Sequence, residues 1–200
     1  CKTWDSISEM LSDPKLDIIY LSTPPGLHYD QGMDILQSNK HLWCEKPVTL
    51  ELEKSQNLIK LAKQKKLSIC ESFMYLYHPQ FIKLKKFIDS YEFGKPKSIH
   101  CRFGLPQLEH PGFRFDKKLG GSCLFDVGCY PISAILSLMP NTKVTILKSL
   151  INLNTSNSID IDGSVLLKLE SDIYCLLEWA YNRSYRNDID IWFDKGNLYS

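Results

Sequence analysis

The sequence carries no glycine-rich phosphate loop: its ten glycines form neither a GxGxxG nor a Walker pattern. That absence excludes phosphate-loop nucleotide chemistry within these 200 residues. It has no CxxC pair, and its seven cysteines (1, 44, 70, 101, 123, 129, 175) are odd in number and scattered, which excludes a secreted disulfide framework and a zinc ribbon. Such thiols read as small buried hydrophobes in a reducing compartment, so a cytoplasmic location is expected. Charge of one sign is also lacking: 24 Lys and Arg against 23 Asp and Glu leave +1, with no bulk field for nucleic acid or an anionic membrane. The longest unbroken apolar runs are about five residues, far short of the roughly 18 that a membrane span requires. No GxSxG, HExxH or aspartate-rich run is present, and His78, His100 and His110 stand alone in sequence and read as structural, so no metal is expected. The opening Cys-Lys-Thr-Trp has neither an initiator Met nor a signal peptide, and the expectation is that residues are missing upstream.

The composition is that of a folded protein, with 44% hydrophobic, 24% charged and 12% aromatic residues. Ser6 and Glu9 form a capping box for a short helix that Asp13-Pro14 ends. Residues 17–22 (Asp-Ile-Ile-Tyr-Leu-Ser) read as a parallel strand buried on both faces. The Thr-Pro-Pro-Gly turn and a helix over 28–38 come next. A second strand lies at 41–44, a helix that Thr49 is placed to cap runs to about Lys65, and a third strand spans 67–70. Strand and helix alternating over short connections predict a doubly wound parallel sheet. The second half predicts a helix over 79–90, a strand over 97–103, a buried helix over 130–138 and five more strands near 144–150, 164–169, 173–179, 189–193 and 198 onward. Runs of strands after such alternation predict an α+β domain on a largely antiparallel sheet. The join is placed near 72–79, giving domains 1–75 and 76–200.

Four stretches fall where such sheets bind ligands, beyond the carboxyl ends of strands. The extended, donor-poor segment Ser22-Thr23-Pro24-Pro25-Gly26-Leu27-His28 suits a flat ligand, or is a plain strand-to-helix turn with a solvated His28. In Glu45-Lys46-Pro47 the proline fixes the backbone, and the Lys46–Pro47 bond is a candidate for the cis form. Lys46 then projects over the crevice, where a cationic neighbour tunes it for proton transfer; the alternative is a surface ion pair before a helix. Asp126 and Tyr130, four apart, share a helix face, as acceptor and donor for a substrate or as a helix-start carboxylate and a core tyrosine. Arg114, between Phe113 and Phe115, is either a ligand clamp or a surface arginine.

Taken in order, Thr-Pro-Pro-Gly-Leu-His (23–28), Cys-Glu-Lys-Pro (44–47), Glu-Ser-Phe-Met-Tyr-Leu-Tyr-His-Pro (71–79) and Gly-Gly-Ser-Cys-Leu-Phe-Asp-Val-Gly-Cys-Tyr-Pro (120–131) resemble the Gfo/Idh/MocA family of NAD(P)-dependent oxidoreductases. Tyr130 stands where many members have histidine, which is similar to the branch holding dihydrodiol dehydrogenase, glucose–fructose oxidoreductase and nucleotide-sugar ketoreductases. The resemblance implies the fold class α/β: the C-terminal part of a Rossmann-like doubly wound sheet, its first βαβ unit missing upstream, then an α+β domain with a largely antiparallel open sheet. The chain's C-terminal end is also expected to be incomplete. As the resemblance has it, Lys46 and Tyr130 are catalytic. Ser22, Thr23, Pro24, Leu27, His28, Glu45 and Lys46 bind the cofactor, NADP or NAD with NADP favoured, with His28 towards the reacting end. Asp126, Arg114 and Tyr130 bind the substrate, a sugar, nucleotide-linked sugar or diol. A homodimer or homotetramer through the C-terminal sheet is implied. Tyr75-Leu76-Tyr77-His78-Pro79 departs from the family's Tyr-Arg-Phe-His-Pro, so the contact made by that arginine is lost. The same family also contains sugar-responsive regulators without turnover and NAD-dependent glycoside hydrolases, which remain the alternatives.

Overall fold

A computed structural model describes residues 2–170 and 172–200; Cys1 lies outside the described residues. The chain divides into two units, one of residues 1–73 with Lys118–Gly120 and one of Met74–Lys117 with Gly121–Ser200.

The first unit is built on three parallel strands, β1 (Ile18–Leu21), β2 (His41–Glu45) and β3 (Ile69–Ser72), in that order across the sheet. A short helix, α1 (Ile7–Leu11), precedes them; its Glu9 amide donates to Ser6 Oγ at 3.1 Å, the cap that the Ser-x-x-Glu spacing predicts. Helices α2 (His28–Gln37) and α3 (Leu52–Lys65) connect the strands. Their Ile35, Leu36, Leu58 and Ala62 bury Ile19, Leu21, Leu42 and Cys44 on one face of the sheet. The expectation that β1 is buried on both faces fails on the other: Ile18, Tyr20 and Trp43 alternate away from the helices and are 54%, 51% and 47% exposed. Thr49 does not cap α3. The helix starts three residues later, and the Thr49 hydroxyl donates instead to the Glu51 carbonyl at 2.7 Å. Lys118–Gly120 complete this unit against the turn after β1. A Cβ on Gly26 would fall 2.4 Å from the Lys118 carbonyl oxygen, and one on Gly120 2.9 Å from the Gly26 nitrogen. Gly120 also has φ +86°, so glycine is required there twice over.

The second unit holds α4 (Pro79–Ser90), α5 (Cys129–Leu138) and six strands: β4 (Pro96–Gly104), β5 (Val144–Leu153), β6 (Asp160–Leu169), β7 (Tyr174–Ala180), β8 (Arg186–Phe193) and β9 (Asn197–Tyr199). Their order is β5-β6-β7-β4-β8-β9, antiparallel throughout except for the β4–β7 pair. This is the predicted, largely antiparallel sheet. Phe81, Leu84 and Ile88 of α4 and Ala134, Ile135 and Leu138 of α5 pack with Ile99, Cys101, Leu177 and Ile191 of the strands. The opposite face is open and carries Leu166, Tyr174, Leu176 and Trp192, all exposed. Residues 117–138 include a window apolar and long enough to cross a membrane, but half of it is buried, as in the core helix of a folded unit. The helix predicted over 130–138 has a beginning the sequence did not betray: Leu124–Gly128 form a π-helical turn that runs straight into α5.

Candidate active site

The parallel register sets Leu21 beside Cys44, so the chain leaves β1 at Ser22 and β2 at Glu45 side by side. Ser22 and Leu27 are exposed, and Thr23, Pro24, Glu45 and Lys46 half-buried, at this carboxyl edge. The Lys46–Pro47 bond is cis, as the sequence allowed. Thr23 Oγ1 donates to Gln31 Oε1 at 2.6 Å. The Glu45 carboxylate accepts from the Tyr20 hydroxyl, a bond that holds the Tyr20 phenol above its usual range, and from the Lys46 amide at 3.3 Å.

The alternative of a solvated His28 fails: the residue is fully buried, with Nδ1 at 2.9 Å from the Pro47 carbonyl oxygen and Nε2 at 2.7 Å from that of Thr23. A ring facing two backbone carbonyls ties the exit of β1 to the exit of β2. It shapes the ledge on which Ser22, Thr23, Pro24, Leu27, Glu45 and Lys46 sit.

In the second unit, Tyr130 is the second residue of α5. Its ring lies edge-on to Phe103 at 5.2 Å and tilted to Tyr75 at 5.9 Å, and its hydroxyl approaches the Met74 sulfur at 3.9 Å. These aromatics, with Phe81 and Asn187, wall a cavity of about 730 Å3. Asp188 borders it and is held by Arg102 Nε at 2.8 Å and Arg186 Nη1 at 3.1 Å.

Asp126 and Arg114, expected on a substrate, are found on each other: Arg114 Nε donates to Asp126 Oδ2 at 2.6 Å. The same oxygen accepts from the Tyr181 hydroxyl at 2.9 Å. Burial, reinforced by the Asp126 charge, pushes the Tyr181 phenol far above its ordinary range, so it stays a donor. A buried carboxylate needs such partners, and here the chain itself supplies them. Sequence reasoning missed Tyr181 because 55 residues separate it from Asp126 and no local motif marks it. Among the described residues no group of His, Cys, Asp and Glu is arranged to hold a metal.

The chain belongs to the Gfo/Idh/MocA family. Residues 1–73 match the model described as an oxidoreductase family with an NAD-binding Rossmann fold, and residues 81–199 match the family's C-terminal domain. Among curated proteins it is similar to the dTDP-3,4-didehydro-2,6-dideoxy-alpha-D-glucose 3-reductase of Saccharopolyspora spinosa, 28% identical over 99% of this chain and 59% of that protein. It is also similar to the trans-1,2-dihydrobenzene-1,2-diol dehydrogenase of Xenopus tropicalis, 29% identical over 67% of this chain and 40% of that protein. The chain thus spans well under two thirds of these relatives' length. Among solved structures, a 3-ketoreductase from Actinomadura kijaniata with NADP and TDP-benzene superposes with a TM-score of 0.91 at 24% identity, covering 96% of this chain and 59% of that one, a likeness of fold.

Proposed function

We propose that the protein is an NAD(P)-dependent oxidoreductase that moves a hydride between nicotinamide and the carbonyl or carbinol carbon of a sugar, nucleotide-linked sugar or related diol. The observation that carries this reading is Tyr130: a phenol on the wall of an aromatic cavity, in a chain whose other unit matches an NAD-binding family. The named activities of the relatives, a ketosugar reductase and a diol dehydrogenase, support that substrate class. NADP is the favoured cofactor, on the strength of the ketoreductase bound to it.

The strand exits fit such a cofactor. Two adjacent parallel strands end together, tied by buried His28, with Ser22, Thr23, Pro24, Leu27, Glu45 and Lys46 left to face a ligand. When bound, the nicotinamide supplies or accepts the hydride. The Tyr130 hydroxyl gives its proton to the substrate oxygen as negative charge develops there, and takes it back in the oxidative direction. Lys46, half-buried at the end of β2 in the first unit, is the second group assigned to catalysis, its ammonium offering fixed positive charge where negative charge develops.

The same reading has the protein acting in the cytoplasm as a homodimer or homotetramer through the open face of the second sheet. The exposed Leu166, Tyr174, Leu176 and Trp192 on that face support it.

The test is turnover of a panel of ketosugars, nucleotide-linked ketosugars and dihydrodiols by the intact protein with both dinucleotides. Lys46→Met and Tyr130→Phe are each expected to lower kcat by about 10²–10⁴-fold with the fold intact. Wild-type rates in both variants would overturn the assignment. NADP binding without turnover on any substrate points to a sensor, and release of free sugar without net cofactor change points to a hydrolase.

A further inference from the structure

We infer that Tyr181 is a positioning residue: through Asp126 it fixes the π-helical turn from which Tyr130 is aimed. The inference rests on Tyr130 being the proton donor proposed above.

A π-turn is rare, occurring mostly as a single turn within an α-helix, and it persists where surrounding contacts impose it. Leu124–Gly128 is held from several sides. The Leu124 amide donates to Asp160 Oδ2 at 2.6 Å and the Phe125 amide to Ser122 Oγ at 3.2 Å. Gly128 lies against the Trp179 indole. Tyr181 Oη, just past β7, reaches both ends of the first turn: Asp126 Oδ2 at 2.9 Å and the Ser122 carbonyl oxygen at 3.3 Å. That carbonyl also accepts the Asp126 amide at 3.0 Å.

Asp126 lies in the π-turn and Tyr130 two residues beyond its end, in one unbroken helical run, so a shift of the turn that moves the carboxylate moves the phenol with it. Arg114 neutralises Asp126, but it arrives from a single 3-10 turn, Gly112–Phe115, with its side chain 29% exposed. Tyr181 is buried, its own backbone amide donates to Ile161 at 2.8 Å, and its ring packs on Phe115 at 5.8 Å. The rigid anchor is therefore the tyrosine.

Tyr181→Phe keeps the ring and removes only the hydroxyl. In the intact protein with reduced dinucleotide, kcat is expected to fall on the order of 10–100-fold, the cost of a small misplacement, while KM for the dinucleotide is unchanged. Amide exchange across residues 122–132 is expected to quicken. Unchanged kcat overturns the inference even if exchange quickens, and so does a fall in kcat with exchange unaltered. Should Tyr181→Phe fail to fold, Tyr181→His keeps a buried ring with a polar N–H in place of the hydroxyl, and the same two readouts decide. Tyr130→Phe, run alongside, separates the two ideas: full turnover there removes the proton-donor reading whatever Tyr181→Phe does.

Discussion

Gly128 rests on the indole of Trp179: a Cβ on this glycine would stand 2.9 Å from both Cγ and Cδ2 of the ring. From the adjoining strand Gly163 makes the same concession, its Cβ position lying 2.5 Å from Cζ2. Two glycines thus bracket one buried tryptophan beneath the turn that precedes α5. Gly163→Ala is expected to destabilise the second unit by about 1–3 kcal/mol through overpacking, read from urea midpoints. Gly128→Ala has a little more room, and its cost should be the smaller of the two. An equal or reversed order would mean that the indole shifts freely.

His28→Leu keeps bulk in the first unit but leaves the Thr23 and Pro47 carbonyls without their ring partner. The imidazole donates its one N–H to one of these two carbonyls, and orphaning that acceptor costs about 1–3 kcal/mol. Chemical denaturation should show that loss in the first unit, together with weaker dinucleotide binding as the two strand exits separate. Normal stability with weakened binding would instead mean that the ring meets the ligand directly.

The buried thiols make the protein alkali-sensitive. Burial pushes Cys44 and Cys175 up to about 12 and raises Cys101 and Cys123 as well. Above the ordinary thiol value of 9.0 the unfolded chain releases protons that the folded chain keeps. Fewer protons on the unfolded state mean that stability falls as pH rises. Their contribution is fully present below that value and is lost progressively towards the folded pKa. Urea midpoints should decline from about pH 9 upward, and Cys175→Ala should flatten the decline for the second unit.

Of the six described thiols, Cys70 alone is exposed, Cys129 is half-buried and the other four are buried. Iodoacetamide under native conditions should therefore label Cys70 first, with Cys44, Cys101, Cys123 and Cys175 reacting only after unfolding. Peptide mass spectrometry gives the order directly.

Most of the architecture was legible because its signals are local. The apolar run at 18–21 bounded by Asp17 and Ser22, the Ser6–Glu9 cap and the Pro79 helix start each act within one element. What escaped depends on distant partners. Whether β1 has one buried face or two is decided by what packs on it, and Ile18 and Tyr20 look no different in sequence from Ile19 and Leu21. The pairing of Asp126 with Arg114 is visible as two polar residues, but its purpose is set by Tyr181, which no spacing rule connects to either. The burial of His28 is hidden for the same reason: Pro47, whose carbonyl meets its Nδ1, stands 19 positions away.

The back-to-back meeting of Gly26 and Gly120 means that the dinucleotide-binding half of this protein is discontinuous along the gene. A shortened clone ending at Phe73 would lose the three-residue patch that closes over the Pro25-Gly26 corner. Recombinant work on that half should therefore carry the patch along, tethered or supplied as a peptide.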